Sequence, residues 1–224
     1  MSTFTLRTSF TNADLEGFYA TGTNIVVAKA SGSSAPNVAW IVYQPLITNM
    51  MTWEEKYGIY ASTVDIKNGV ILTQMSQSPF PAIDGKAYIL QHNCVFTPAS
   101  EGGIPNSYCV LNDFDNLPRG YLTMGLFQDA ILNGVTKTGS AVSATAVPYK
   151  GTAVMTPFTS VYLWSQTQVR SSMVVTNVTS RMTKVDFGGS VTEVSLQYDP
   201  SAGIFVPLPG LKLDTGIEII HPKL

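Results

Sequence analysis

Apolar and polar residues alternate in short runs along most of this chain, and few of those runs hold a helical period. Residues 3–10, TFTLRTSF, set Phe4, Leu6, Thr8 and Phe10 against Thr5, Arg7 and Ser9, the signature of a half-buried strand. Thr11 and Asp14 form a capping pair for one short helical turn that Gly17 would end. NIVVAKA (24–30) is a second strand, and the turn-forming SGSSAPN (31–37) follows it. VAWIVYQPL (38–46) is β-branched and aromatic, with Pro45 at a strand end or bulge.

Thr52 and Glu55 are spaced to cap a single helical turn over residues 53–57, with Gly58 as its left-handed terminator. Asn68-Gly69 suits a type I′ turn leading into a strand over 68–76, and residues 86–96 read as another strand. The Pro- and Gly-containing segment 97–106 is the best internal boundary. Leu122, Leu126, Phe127, Ala130 and Ile131 recur near helical period, so a helix is expected over 117–135, stopped at Gly134. From Lys137 onward, short extended runs resume, punctuated by Gly and Pro.

This pattern predicts an all-β fold, an antiparallel β-sandwich or a barrel-like variant of it, with at most one or two short helices. The 224 residues suit a single β domain. A faint internal echo aligns Trp40 with Tyr162 at an offset of 122, and carries Ile41 onto Leu163 and Gln44 onto Gln166. It suggests two related halves, 1–100 and 107–224.

Charge changes the picture by exclusion. Only 12% of residues are charged, the formal net charge is −2, and no basic run exists. Nucleic acid is therefore excluded as a partner, because phosphate neutralisation needs clustered cations. The opening residues lack an apolar leader core, so a cytoplasmic location or export without a visible signal peptide is expected. Cys94 and Cys109 are expected as free thiols in a reducing compartment. Paired, they would close a loop worth about 3 kcal/mol. Asn177-Val178-Thr179 is a glycosylation sequon that matters only in a secretory pathway.

Two stretches carry candidate chemistry. Trp53, Glu54, Glu55, Tyr57 and Tyr60 combine aromatic faces with carboxylates, as a site for a glycan or other neutral polar ligand requires. The competing reading buries Trp53 in the core. Asn112, Asp113, Asp115 and Asn116 offer oxygens for calcium, the one cofactor the sequence brings into view, although the Gly and distal Glu of an EF-hand are missing. The nearly uncharged segment 139–161 resembles a membrane-inserting hairpin, which makes a membrane surface a second class of partner. The low charge also suits self-association into a homo-oligomer.

Catalytic motifs are absent: no nucleophile elbow, phosphate loop or dinucleotide fingerprint is present. No catalytic residue is assigned. An enzyme would have to assemble Glu54 or Glu55 with Asp113 or Asp115 in space. The expected function is a non-catalytic, soluble, lectin-like recognition protein. A pore-forming protein using 139–161 and a carboxylate-based small-molecule enzyme are the alternatives.

Overall fold

The computed structural model describes residues 3–32, 35–208 and 216–221. Residues 33 and 34 of the expected turn at 31–37 lie outside the described residues. The fold is all-β, mainly antiparallel and built from several packed sheets, none of them closed into a barrel. Among the described residues no helix is long and apolar enough to cross a membrane.

In chain order, β1 (Thr3–Ser9) leads into α1 (Asn12–Thr21), the one helix among the described residues, and then β2 (Thr23–Ser31). Next come β3 (Val38–Ala39), β4 (Ile41–Tyr43), β5 (Thr48–Glu54) and β6 (Gly58–Ser62). The middle of the chain supplies β7 (Ser76–Gln77), β8 (Ala87–Leu90), β9 (Tyr108–Asn112) and the long β10 (Tyr121–Leu132). β11 (Val135–Ala141), β12 (Thr145–Pro148), β13 (Thr152–Met155) and β14 (Pro157–Thr167) follow. The last strands are β15 (Met173–Val174), β16 (Met182–Val185), β17 (Glu193–Asp199), β18 (Ile204–Pro207) and β19 (Ile217–Ile220).

The largest sheet runs β18-β17-β1-β5-β10-β6-β7, with β11 and β12 also paired to β10. A five-stranded sheet runs β19-β16-β14-β2-β4. The main core lies between these two, where Phe4, Leu6, Trp53 and Leu126 meet Ile25, Val27, Leu163 and Val185. The other face of β2 is buried too, through Val26 and Ala28 beside Ala39, Trp164 and Met173. Burial on both sides explains why residues 25–30 read as an almost unbroken apolar run.

The helix starts where the sequence placed it. Thr11 and Asp14 close a reciprocal capping box. It passes through Gly17 and ends at Gly22, whose φ of 63° supplies the left-handed cap.

The expected helix over 117–135 is instead β10. Residues 122–128 are buried without a break because both faces of the strand are covered. Leu122, Met124, Leu126, Ala130 and Leu132 enter the main core while Phe127 enters a cluster on the other face, and Ile131, which the helical reading needed inside, is exposed. Gly125 fits the strand for a steric reason. A Cβ there would fall 1.8 Å from the Ser143 carbonyl oxygen. The turn after β10 is Asn133-Gly134, both with positive φ, which joins β10 to β11 as a tight hairpin.

Three further expectations change. Residues 53–57 form no helical turn: β5 runs to Glu54 and β6 begins at Gly58. At the Asn68-Gly69 turn only Gly69 has positive φ, so it is not type I′, and 68–75 is no regular strand. It is tied to residues 172–174 by backbone hydrogen bonds and an isolated bridge from Ile71 to Met173, before the short β7 begins at Ser76. The 139–161 segment is not one hairpin either. Ser140 to Ala144 are buried, β12 pairs with β10, and β13 pairs with β9.

Two strands matched at offset 122 are neighbours of the same strand, an adjacency that does not by itself relate the two halves. Ile41, Val42 and Tyr43 on β4 and Leu163, Trp164 and Ser165 on β14 flank the same residues of β2, namely Val27, Val26 and Ile25. Matched positions thus occupy common rows across one sheet.

Candidate functional site

Of the five residues singled out in the sequence, Trp53, Glu55 and Tyr57 come together and face inward, Tyr60 is buried in a separate cluster, and Glu54 stays at the surface. Trp53 is 3% exposed and packs edge-on against Trp40 and Phe187. Tyr57 is also buried. The expectation of an exposed Trp53–Tyr57 stacking platform is therefore corrected: neither ring offers a face to solvent. Tyr60 is buried as well, with its hydroxyl donating to the Ser143 carbonyl at 2.7 Å.

The two neighbouring glutamates part company. Glu54 pairs at the surface with Lys56. Glu55 turns inward, where its Oε1 accepts from the Trp53 indole N–H at 2.8 Å and from Lys29 Nζ at 2.7 Å. Its Oε2 accepts from the Tyr57 hydroxyl at 2.5 Å.

Lys29, which the sequence reading did not single out, is the centre of this cluster. It stands on β2 in the row of Ile25 and Val27, and is 1% exposed. Its ammonium also donates to the Tyr57 hydroxyl at 2.6 Å and to Gln128 Oε1 at 3.2 Å. The rings of Tyr57, Trp40 and Trp53 surround it at 5.0, 5.4 and 5.7 Å from their centroids. Burial pulls its pKa down to about 8, and the Glu55 carboxylate opposes that shift. Burial, and next the Glu55 charge, push the Tyr57 phenol well above its ordinary range. The available signal was a lysine inside an apolar run: on a strand buried on both faces, such a cation needs an internal partner.

An open surface feature lies on the outer side of β10. Phe80, from the loop after β7, is 43% exposed and stacks on Phe127 with centroids 5.5 Å apart and planes 24° from parallel. Phe127 is held in turn by Gly58. A Cβ at Gly58 would fall 2.1 Å from the Phe127 ring, so this glycine makes room for an aromatic ring and ends no helix.

Two concavities meet at Phe80. One, of about 320 Å³, is bordered by Thr52, Glu54, Lys56, Ile131 and Thr136. The other, of about 410 Å³, is bordered by Gln74, Gln77, Thr138, Gly139 and Ser172. Phe80 and Asp129 line both.

Asp129 owes its position to a bulge. Gln128 faces Ser140 and Ala130 faces Lys137, so Asp129 alone stands opposite Thr138 and Gly139. Its Oδ1 accepts from the Gly139 N–H at 2.7 Å. The Gly139 carbonyl accepts from Gln74 Nε2 at 2.7 Å, and Gln74 Oε1 accepts from Gln77. Among the described residues, Asp129 Oδ2 and Gln77 Oε1 accept no hydrogen bond and remain open to a ligand.

The Asn112–Asn116 loop is differently employed. Asn112 is fully buried; its amide nitrogen donates to the Val147 and Pro148 carbonyls and its oxygen accepts from the Phe114 N–H. Both ends of that amide are thus occupied, the nitrogen in tying β9 to β12 and the oxygen in holding the loop that follows β9. Asp113 pairs with Lys150, and Asp115 and Asn116 are exposed. Among the described residues no group of three or more His, Cys, Asp or Glu is gathered around a point. Glu55 and Asp113 are bound into separate networks, one with Lys29 and one with Lys150. Cys94 and Cys109 are free thiols.

Comparison of the chain with protein-family models, with curated proteins and with solved structures returns no match.

Proposed function

We propose that the protein is a non-catalytic recognition protein, and that the groove around Phe80 takes a neutral, hydroxyl-rich ligand of the glycan class. The observation that carries the reading is Phe80 itself. A half-exposed ring stacked on a buried one gives a fixed apolar face, and the carbon-bound hydrogens of a pyranose pack against such a face. Around it stand Gln74, Gln77, Thr136 and Thr138, neutral donors and acceptors, with the carboxylate of Asp129 and the paired Glu54 and Lys56. That is the mixture a binding cleft needs: an apolar floor with a few polar groups fixed in orientation.

Net charge contributes little here. Glu54 is neutralised by Lys56, and Asp129 is anchored to the Gly139 N–H. The reactive-looking trio of Lys29, Glu55 and Tyr57 is consumed within the core. The aromatic recognition residue is thus Phe80 in place of Trp53.

A glycan array followed by isothermal titration tests this reading, with Phe80→Ala as the control. Binding that weakens in the variant supports it. An array with no hits at high protein concentration, with and without calcium, would overturn it.

A further inference from the structure

We infer that the groove holds two adjacent sugar subsites sharing Phe80, so that its ligand is an oligosaccharide of at least two units; this rests on the glycan reading above. The two concavities differ in lining, yet they have Phe80 and Asp129 in common. A ligand filling both would have Phe80 and Asp129 as common contacts. Each concavity falls in the range of ordinary ligand clefts, which begins at about 300 Å³.

The spacing of the polar groups points the same way. Thr136 borders the first concavity and Thr138 the second, two residues apart along β11. That separation is about 7 Å along an extended strand, on the scale of one pyranose unit within a chain. Two linked sugar units match that spacing, one against each threonine. Asp129, opposite Thr138 and Gly139 at the bulge, lines both concavities and keeps its Oδ2 unbonded among the described residues. It is placed to accept from a hydroxyl of either unit.

The subsites differ in chemistry. The first is rimmed by the Glu54–Lys56 ion pair and the apolar edge of Ile131. The second is rimmed by the side-chain amides of Gln74 and Gln77, already ordered by their bond to each other and to Gly139. The amide side therefore contributes the more fixed hydrogen bonds, and the ion-paired side the looser contact.

The test is calorimetric titration with glucose, galactose, mannose and N-acetylglucosamine, each against its linear homotetramer. Thr136→Trp and Thr138→Trp are measured beside the native chain, since each fills one concavity and leaves Phe80 in place. The expected result is that the tetramer of a recognised sugar binds at least about tenfold more tightly than its monomer. Either tryptophan should remove that advantage, with Thr138→Trp the more damaging. Equal affinity for monomer and tetramer overturns the two-subsite inference and leaves the glycan reading standing. So does a tetramer affinity untouched by both variants. If no sugar of either length binds, the glycan reading itself falls, and this inference with it. Unchanged thermal unfolding in both variants separates a blocked groove from a damaged fold.

Discussion

Lys29 Nζ lies 2.7 Å from Glu55 Oε1, and the two side chains reach each other from opposite walls of the core. Lys29 comes from β2 of the five-stranded sheet, and Glu55 follows β5 of the large one. The lysine side chain has no exposed surface, whereas that of Glu55 is 24% exposed. Gln128 links this pair to β10, because its Oε1 accepts from Lys29 and its Nε2 donates to the Glu54 carbonyl at 2.6 Å. The ion pair is therefore a fastener between the two sheets within their shared core.

Unequal exposure makes the two partners unequal under mutation. Glu55→Gln leaves a cation buried among neutral groups, and removing one partner of a buried pair costs about 3–5 kcal/mol. Lys29→Met leaves a carboxylate that still reaches water, so it should cost less. The double variant should be more stable than Glu55→Gln alone. Denaturant unfolding of the three variants checks the order, and a Lys29→Met loss larger than that of Glu55→Gln would contradict it.

The same lysine sets a pH dependence. Its folded pKa of about 8 lies below the ordinary 10.5. Between those values the unfolded chain binds the proton that the folded chain has released, so stability rises with pH through that window. The rise should be on the order of 2–3 kcal/mol. Above about pH 10 the direction reverses. Burial raises the pKa values of Tyr43, Tyr57 and Tyr60, so only the unfolded chain ionises there. Thermal unfolding from pH 7 to 11 should show a maximum near the crossover. Lys29→Met should lose the rise and keep the fall.

The alternation of residues 3–10 and the Thr11–Asp14 box were legible because each depends on neighbours in sequence. The 121–132 strand was misread because Leu126, Phe127, Ala130 and Ile131 mimic a helical stripe. The even-numbered row from Leu122 to Leu132 and the Asn133-Gly134 turn carried the better signal. The groove was not legible at all. Phe80 lies in a loop, Asp129 gains its place from a bulge, and Thr136 comes from beyond a hairpin. Those three meet only through pairing that sequence periodicity does not encode. Trp53 illustrates the converse: chemistry that looked exposed was required inside, to surround a lysine on another strand.

Two glycines of opposite function provide a steric test. Gly58→Ala would place a methyl group within the Phe127 ring position, so it should cost about 1–3 kcal/mol through overpacking. It should also weaken glycan binding, since Phe80 rests on Phe127. Gly17 lies within α1 with no neighbouring atom near its added Cβ. Gly17→Ala should therefore stabilise by about 0.5–1 kcal/mol and leave binding unchanged. Unfolding and titration of both variants distinguish these outcomes.

Recognition itself is best separated from folding at Phe80 and Asp129. Phe80→Ala removes the stacking face and also its contact with Phe127, a pair worth about 0.5–1.5 kcal/mol. Its affinity loss should be at least about tenfold, and Phe80→Tyr should restore most of it. Asp129→Asn keeps an oxygen for the Gly139 N–H but lowers the strength of any bond accepted from a ligand hydroxyl. Its stability should stay within about 0.5 kcal/mol of the native chain, while binding falls. Titration of a recognised oligosaccharide against all three variants, alongside their unfolding curves, is the measurement. If Phe80→Ala and Asp129→Asn both bind as the native chain does, the ligand lies elsewhere on the molecule and the groove is not its site.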